Sequence, residues 1–146
     1  MALLETGAEA PDIQAKTGSG KAFRLRDHTA SSRIMLVFYP QDFTSGCTTQ
    51  LMAVQRSLAD IRAAGVEPVG ISPDDAASHA QFCDAYQLEF DLLVDADKDA
   101  ATAYGAVRPD GGILRSVFVI GEDGRILFAQ EGAPSWSTVS EALPDR

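Results

Sequence analysis

The sequence predicts an α/β fold with a mixed central sheet flanked by helices on both faces, a three-layer domain. Three observations lead there. Strand-like and helix-like segments alternate along the chain, which makes neighbouring strands parallel. Residues 33–39, Arg-Ile-Met-Leu-Val-Phe-Tyr, form a nearly continuous apolar run, the pattern of a strand buried on both faces. Near the end, two further apolar runs are joined by Gly121-Glu-Asp-Gly124, a hairpin signal that adds an antiparallel pair.

Taken in order, residues 5–30 are rich in Gly, Ser, Thr and charge, with a short hairpin expected near Gly18-Ser19-Gly20. Pro40 ends the first central strand. Leu51, Val54, Leu58 and Ile61 then fall on one face of a helix over 46–64, stopped by Gly65. Residues 66–72 read as the next strand, with an edge-like start because Pro68 removes a ladder donor. Ser72-Pro73-Asp74-Asp75 supplies a cap, a proline and acidic residues for a helix over 75–86. A short strand over 91–94 and a helix over 98–104 closed by Gly105 follow. Strands over 115–120 and 125–130 make the hairpin, and a last helix covers 135–142. No internal repeat or low-complexity tract interrupts this order.

The chain has 146 residues, of which 45% are hydrophobic, enough for one compact domain spanning 1–146. A net charge of -9 and a pI near 4.5 repel phosphate backbones and anionic lipid, so neither nucleic acid nor a membrane is expected as a partner. The start, Met1-Ala-Leu-Leu-Glu-Thr-Gly7, lacks the basic and apolar parts of a signal peptide. No run approaches the roughly 18 apolar residues of a membrane helix. A cytoplasmic location is therefore expected. There, Cys47 and Cys83 point to thiol chemistry or to packing rather than to a permanent disulfide. His28 and His79 are expected at the surface. The scattered cysteines and histidines give no metal-ligand spacing, so neither metal nor cofactor is expected.

Cys47 is the candidate for chemistry. It stands just after Pro40-Gln-Asp-Phe-Thr44-Ser-Gly46, where a polar loop leaves a buried strand and opens a helix. In an open α/β sheet that is the ligand end. Helix N-termini carry unpaired N–H groups and partial positive charge, and both favour a thiolate. A cation must come from elsewhere. Arg115 is the best candidate, since an arginine opening the apolar strand Arg-Ser-Val-Phe-Val-Ile needs an anion. Arg33 opens the first central strand, at the end opposite Cys47. Thr44, three residues before Cys47, can turn its hydroxyl toward the sulfur, donating to one substrate oxygen while accepting from another group. Pro40 can shield the sulfur from water and fix the loop. Gln50 reads as a solvated helix residue, and Trp136 and Phe128 as core.

These residues carry a family resemblance. Pro40-x-x-x-Thr44-x-x-Cys47 with Arg115 downstream resembles the active-site motif of the peroxiredoxins. The segments Phe38-Tyr39-Pro40, Gly46-Cys47-Thr48-Thr49, Val69-Gly70-Ile71-Ser72-Pro73-Asp74, Leu92-Leu93-Val94-Asp95, Ala103-Tyr104-Gly105 and Arg115-x-x-Phe118-Val119-Ile120 resemble the bacterioferritin-comigratory or PrxQ-type branch. The resemblance implies a thioredoxin-like fold in its peroxiredoxin variant. It also implies thiol-dependent reduction of hydrogen peroxide and organic hydroperoxides. Cys47 is then the peroxidatic cysteine, passing through a sulfenic acid. Thr44, Arg115 and the backbone N–H groups near Gly46 hold the peroxide oxygens.

The branch often has glutamate where this chain has Gln50. Met52 occupies the position of a second cysteine found in many relatives, which excludes a resolving cysteine in the same helix. The match implies instead that Cys83 resolves, through an intramolecular disulfide re-reduced by thioredoxin or a similar dithiol. Cysteines on separate helices usually lie beyond the ~7 Å Cα limit of a disulfide. Oxidation is therefore expected to unwind the first turn after Thr44 and to loosen helix 75–86. The resemblance favours a monomer over a dimer. Two alternatives stay open: a peroxide-sensing redox relay, and a one-cysteine peroxidase in which Cys83 merely packs beside Phe82 and Tyr86. A protein-disulfide oxidoreductase lacks its Cys-x-x-Cys pair.

Overall fold

A computed structural model describes residues 3–145. The elements run β1 Gln14–Thr17, β2 Ala22–Arg24, α1 Leu25–Thr29, β3 Arg33–Phe38, α2 Ser45–Arg56, α3 Leu58–Ala63 and β4 Val66–Ser72. They continue α4 Ala76–Tyr86, β5 Leu92–Val94, α5 Asp99–Tyr104, β6 Ser116–Ile120, β7 Ile126–Glu131 and α6 Trp136–Ala142. One seven-stranded sheet has the order β2-β1-β5-β4-β3-β6-β7. β3, β4 and β5 are parallel; β6 runs antiparallel to β3, β7 to β6, β1 to β5 and β2 to β1.

Side chains alternate across β3 and split the core in two. Ile34, Leu36 and Phe38 pack with Leu25 of α1 and Ala101 and Tyr104 of α5. Met35, Val37 and Tyr39 pack with Leu51, Leu58, Ile61, Phe82 and Val139 from α2, α3, α4 and α6. A period of two places successive residues of a strand on opposite faces, so a strand in the middle layer must be apolar throughout.

The expected hairpins form, at β1–β2 and at β6–β7 with Gly124 at φ +82° in the turn. Pro68 behaves as expected: Gly70 sends its N–H to Asp91 across the β5 side, and Pro68 shares that side but precedes the segment that β5 pairs. The helix expected over 46–64 is two helices. Ser57 leaves helical geometry at φ −94°, ψ 3°, and its N–H is shared between the Ala53 and Val54 carbonyls, a tightened turn. α1 is absent from the sequence expectations, because five residues are too few to show a helical period.

Candidate active site

β3 ends at Phe38, and Tyr39 extends it by donating its N–H to Ile71. The chain then turns through Pro40-Gln41-Asp42-Phe43 and enters α2 with Thr44 as its N-cap. Cys47 therefore lies in the first turn of α2, beyond the carboxyl ends of the parallel strands. It is a free thiol, 1% exposed. The first turn of α2 holds no acidic residue, so nothing on the helix itself offsets the positive end of its dipole.

Arg115 reaches this point through strand register. Phe38 pairs with Ser116, so the residue preceding β6 lies beside the end of β3. Its Nη2 donates to Cys47 Sγ at 3.4 Å, and its Nη1 donates to the Gln50 side-chain oxygen. Gly46 permits the approach: a Cβ there would stand 3.3 Å from Arg115 Nη2. Arg33 lies at the other end of β3, as expected, and donates to the Asp145 carbonyl.

Other expectations need correction. Gln50 is not solvated. It is 6% exposed and orients the guanidinium, because it lies one turn beyond Cys47 on the same side of α2. Its Nε2 and the Thr48 hydroxyl are buried without a partner. The Thr44 hydroxyl donates to the Gln41 carbonyl at 3.0 Å, leaving its lone pairs free. Trp136 is half-buried and lines a mainly apolar groove of about 380 Å³ with Val37, Gly46, Gln50, Arg115 and Val139.

His79 is the largest departure. Expected at the surface, it is 0% exposed. Its Nδ1 meets Asp42 at 2.7 Å and its Nε2 meets the Leu93 carbonyl at 2.8 Å. Asp42 also accepts from the Tyr39 hydroxyl at 2.6 Å and from Ser78 at 2.8 Å, while its N–H donates to Asp74. Burial alone would raise the Asp42 carboxyl, but its bonds from His79, Tyr39 and Ser78 outweigh that and hold it below the usual carboxylate range. Burial opposes the charged form of His79, yet Asp42 and the Leu93 carbonyl prevail and raise it above the ordinary histidine value. One donor atom from each of Asp42, Asp74 and His79 lies within 4.8 Å of the others, and these atoms are already engaged in the bonds just described.

Next along the loop, Phe43 is 46% exposed and sits at φ +67°, a conformation costing an aromatic residue about 1–2 kcal/mol. Its ring packs 5.0 Å from Phe82 and 6.3 Å from Tyr86, both on α4. Cys83 follows Phe82 on α4. It is free and half-buried, and burial together with Asp42 and Asp91 pushes its thiol up to about 11.

A free cysteine in the first turn of a helix, over the ends of parallel strands and touched by a guanidinium, defines a thiol-based redox protein on an α/β scaffold. The comparisons narrow the class. The AhpC/TSA family model matches residues 6–129. Peroxiredoxin Bcp of Bacillus subtilis is 32% identical over 96% of this chain and 93% of its own length. Among solved structures, peroxidoxin BcpB of Mycobacterium tuberculosis superposes with a TM-score of 0.86 at 26% identity, covering 95% of this chain and 94% of that one. Peroxiredoxin Q of Xanthomonas campestris gives 0.82 at 28% identity, covering 96% and 92%. The chain belongs to the AhpC/TSA family, as a peroxiredoxin of the Bcp/PrxQ branch on a thioredoxin-like fold, and is a thiol-dependent peroxidase. Among the described residues, no helix is long and apolar enough to cross a membrane.

Proposed function

We propose that Cys47 is the peroxidatic nucleophile for hydrogen peroxide and organic hydroperoxides, that Cys83 resolves it, and that a thioredoxin-type dithiol completes the cycle. The contact of Arg115 Nη2 with Cys47 Sγ at 3.4 Å, at the first turn of α2, carries this reading. The thiolate attacks the terminal peroxide oxygen. An S–O bond forms, the O–O bond breaks, and the leaving hydroxide or alkoxide takes a proton from water. Arg115 and the N–H groups of Ser45 and Gly46 meet the negative charge as it moves from sulfur to oxygen. Thr44 accepts from the peroxide O–H, and Pro40 limits water at the sulfur. The groove beside Arg115 suits the alkyl part of an organic hydroperoxide.

Cys83 then attacks the Cys47 sulfenic acid. The S–S bond forms, the S–O bond breaks, and the oxygen departs as water with the proton of the Cys83 thiol. A thiol raised to about 11 stays protonated near neutrality, which suits a partner that should ignore peroxide itself. The Xanthomonas relative has been crystallised with each of two cysteines, 36 positions apart, replaced by serine; Cys47 and Cys83 have the same separation here. The dithiol reductant finally supplies two electrons and is itself oxidised to a disulfide. The enzyme works as one domain spanning 1–146, as a monomer, in the cytoplasm.

Peroxide consumption by the wild type, Cys47→Ser and Cys83→Ser tests this, with mass spectrometry after one equivalent of peroxide. Cys47→Ser should be inactive. Cys83→Ser should retain the first oxidation, lose thioredoxin-supported cycling and overoxidise more readily. A wild type that keeps a Cys47 sulfenate unlinked to Cys83 yet turns over would leave a one-cysteine peroxidase. A single slow turnover ending in a mixed disulfide with another protein would make it a redox relay.

A further inference from the structure

The Cys47 loop and the Cys83 helix are joined by a polar contact that the chemistry above does not use. Both ring nitrogens of His79 face acceptors, Asp42 Oδ2 at 2.7 Å and the Leu93 carbonyl at 2.8 Å. Only a doubly protonated imidazole donates to both. The ring is fully buried, so an imidazolium is held there by the Asp42 carboxylate. His79 belongs to α4, four residues before Cys83; Asp42 belongs to the loop, five residues before Cys47. The Leu93 carbonyl belongs to β5, so the same ring ties loop, helix and sheet together.

Other groups surround the pair from each side. Tyr39 stands at the end of β3, Asp74 in the loop after β4, and Ser78 on α4. Just after β1 the approach is the uncharged Gly18, where a Cβ would stand 3.0 Å from the His79 Cβ. Cys83 lies within the influence of Asp42 and Asp91. Beside this polar contact, Phe43 is held at positive φ with its ring on Phe82 and Tyr86. A strained loop held on α4 by a buried ion pair, the Ser78 bond and the Phe43 ring contacts is the kind of element that can pass between docked and released forms.

We infer that the Asp42–His79 pair is a latch between the Cys47 loop and α4, and that its release sets the pace at which Cys47 meets Cys83. This rests on the reading of Cys83 as the resolving cysteine for the second clause alone. While the imidazolium is in place the loop stays docked, and Cys47 stays beside Arg115, poised for peroxide. When His79 loses a proton, one of its two acceptors faces a lone pair, and the loop is freed to bring its sulfur to Cys83. His79 and Asp42 are positioning residues here; neither touches the reacting sulfurs.

His79→Gln tests the latch, because the neutral amide can serve one acceptor but cannot supply the charge. Three measurements are compared with the wild type: amide hydrogen exchange of the reduced protein, the rate of sulfenate formation, and the rate of the Cys47–Cys83 disulfide step from pH 5.5 to 9. Exchange over residues 42–48 should quicken about tenfold while β6 is unchanged, as release of one local unit requires. Sulfenate formation should stay within about twofold. The disulfide step should be about tenfold faster at low pH, and this advantage should shrink as His79 of the wild type deprotonates. Cys83 feels Asp42, so its ionisation need not match in the two proteins; the ratio is therefore read below about pH 8, where a thiol pushed up to about 11 stays protonated in both.

A ratio that stays at one across the pH range, or exchange that quickens equally in β6, would overturn the latch. Should His79→Gln fail to fold, exchange in the wild type alone decides. Protection over 42–48, measured relative to β6, should fall as pH rises; a constant ratio refutes the inference. If mass spectrometry finds no Cys47–Cys83 bond, the resolving role fails, and the exchange measurement still judges the latch.

Discussion

On one face of β3, Phe38 meets Tyr104 and Phe118, three rings with centroids 5.2–5.7 Å apart, above Ile34 and Leu36. On the other, Met35, Val37 and Tyr39 lead to Cys47, Cys83, the buried Asp42–His79 pair and the groove beside Arg115. Both faces come from the same six-residue strand. The first is ordinary packing, with the Tyr104 hydroxyl bonded to Pro11. The second keeps a left-handed Phe43 and two buried polar atoms without partners. Stability and chemistry are thus divided by the pleat, and substitutions should separate the two.

The largest effect should come from Phe118→Ala, which empties the ring cluster and costs about 3–5 kcal/mol of stability. Equilibrium unfolding measures it. The fraction that remains folded should reduce peroxide at the wild-type rate; a slowed reaction would mean that the faces are not separate. Arg115→Lys is its mirror image. Losing the planar fork between Gln50 and Cys47 should lower kcat/KM for peroxide about a hundredfold, with stability changed by less than about 1 kcal/mol. Stopped-flow kinetics and thermal unfolding together check both halves.

Gly46→Ala sharpens the contrast. The added methyl lies 3.3 Å from Arg115 Nη2 and should slow peroxide reduction about tenfold, while alanine in a helix gains about 0.5–1 kcal/mol. A variant both slower and more stable is the expected result. Tyr104→Phe removes the bond to Pro11 and should cost about 1 kcal/mol with no kinetic change.

The smallest effect is a slope. Asp42, held low, stabilises the fold above the usual carboxylate range, and that contribution is lost as pH falls through its folded value. His79, held high, stabilises fully below about 6.5, and that contribution is lost as pH rises through its folded value. Stability should therefore peak between these limits. Phe118→Ala should lower the whole curve without changing its shape, and denaturation across pH reads this directly.

The uniform apolar run at 33–39 made the central strand legible, and Arg115 was found because a cation opening such a strand needs an anion. Hydrogen-bond partners far apart in sequence were not legible. Asp42 and His79 are separated by 37 residues, and neither has a spacing that names the other. A local signal for His79 was present: it precedes Phe82 by three residues, so both lie on the helix face turned to the core. Gln50 carried a similar signal, next to the fully buried Leu51 and one turn from Cys47. The Thr44 hydroxyl could not be oriented from sequence, since its choice of the Gln41 carbonyl depends on how the loop folds.

The strand register that delivers Arg115 also dictates when the reactive centre can exist during synthesis. Sulfur and guanidinium are separated by 68 residues, and they meet only after β6 has added to β3. A chain still emerging from the ribosome therefore carries Cys47 without its cation. The pairing of sulfur and guanidinium forms only once the chain has been made through β6, which ends at Ile120, so a product truncated before Arg115 would bear Cys47 without its cation.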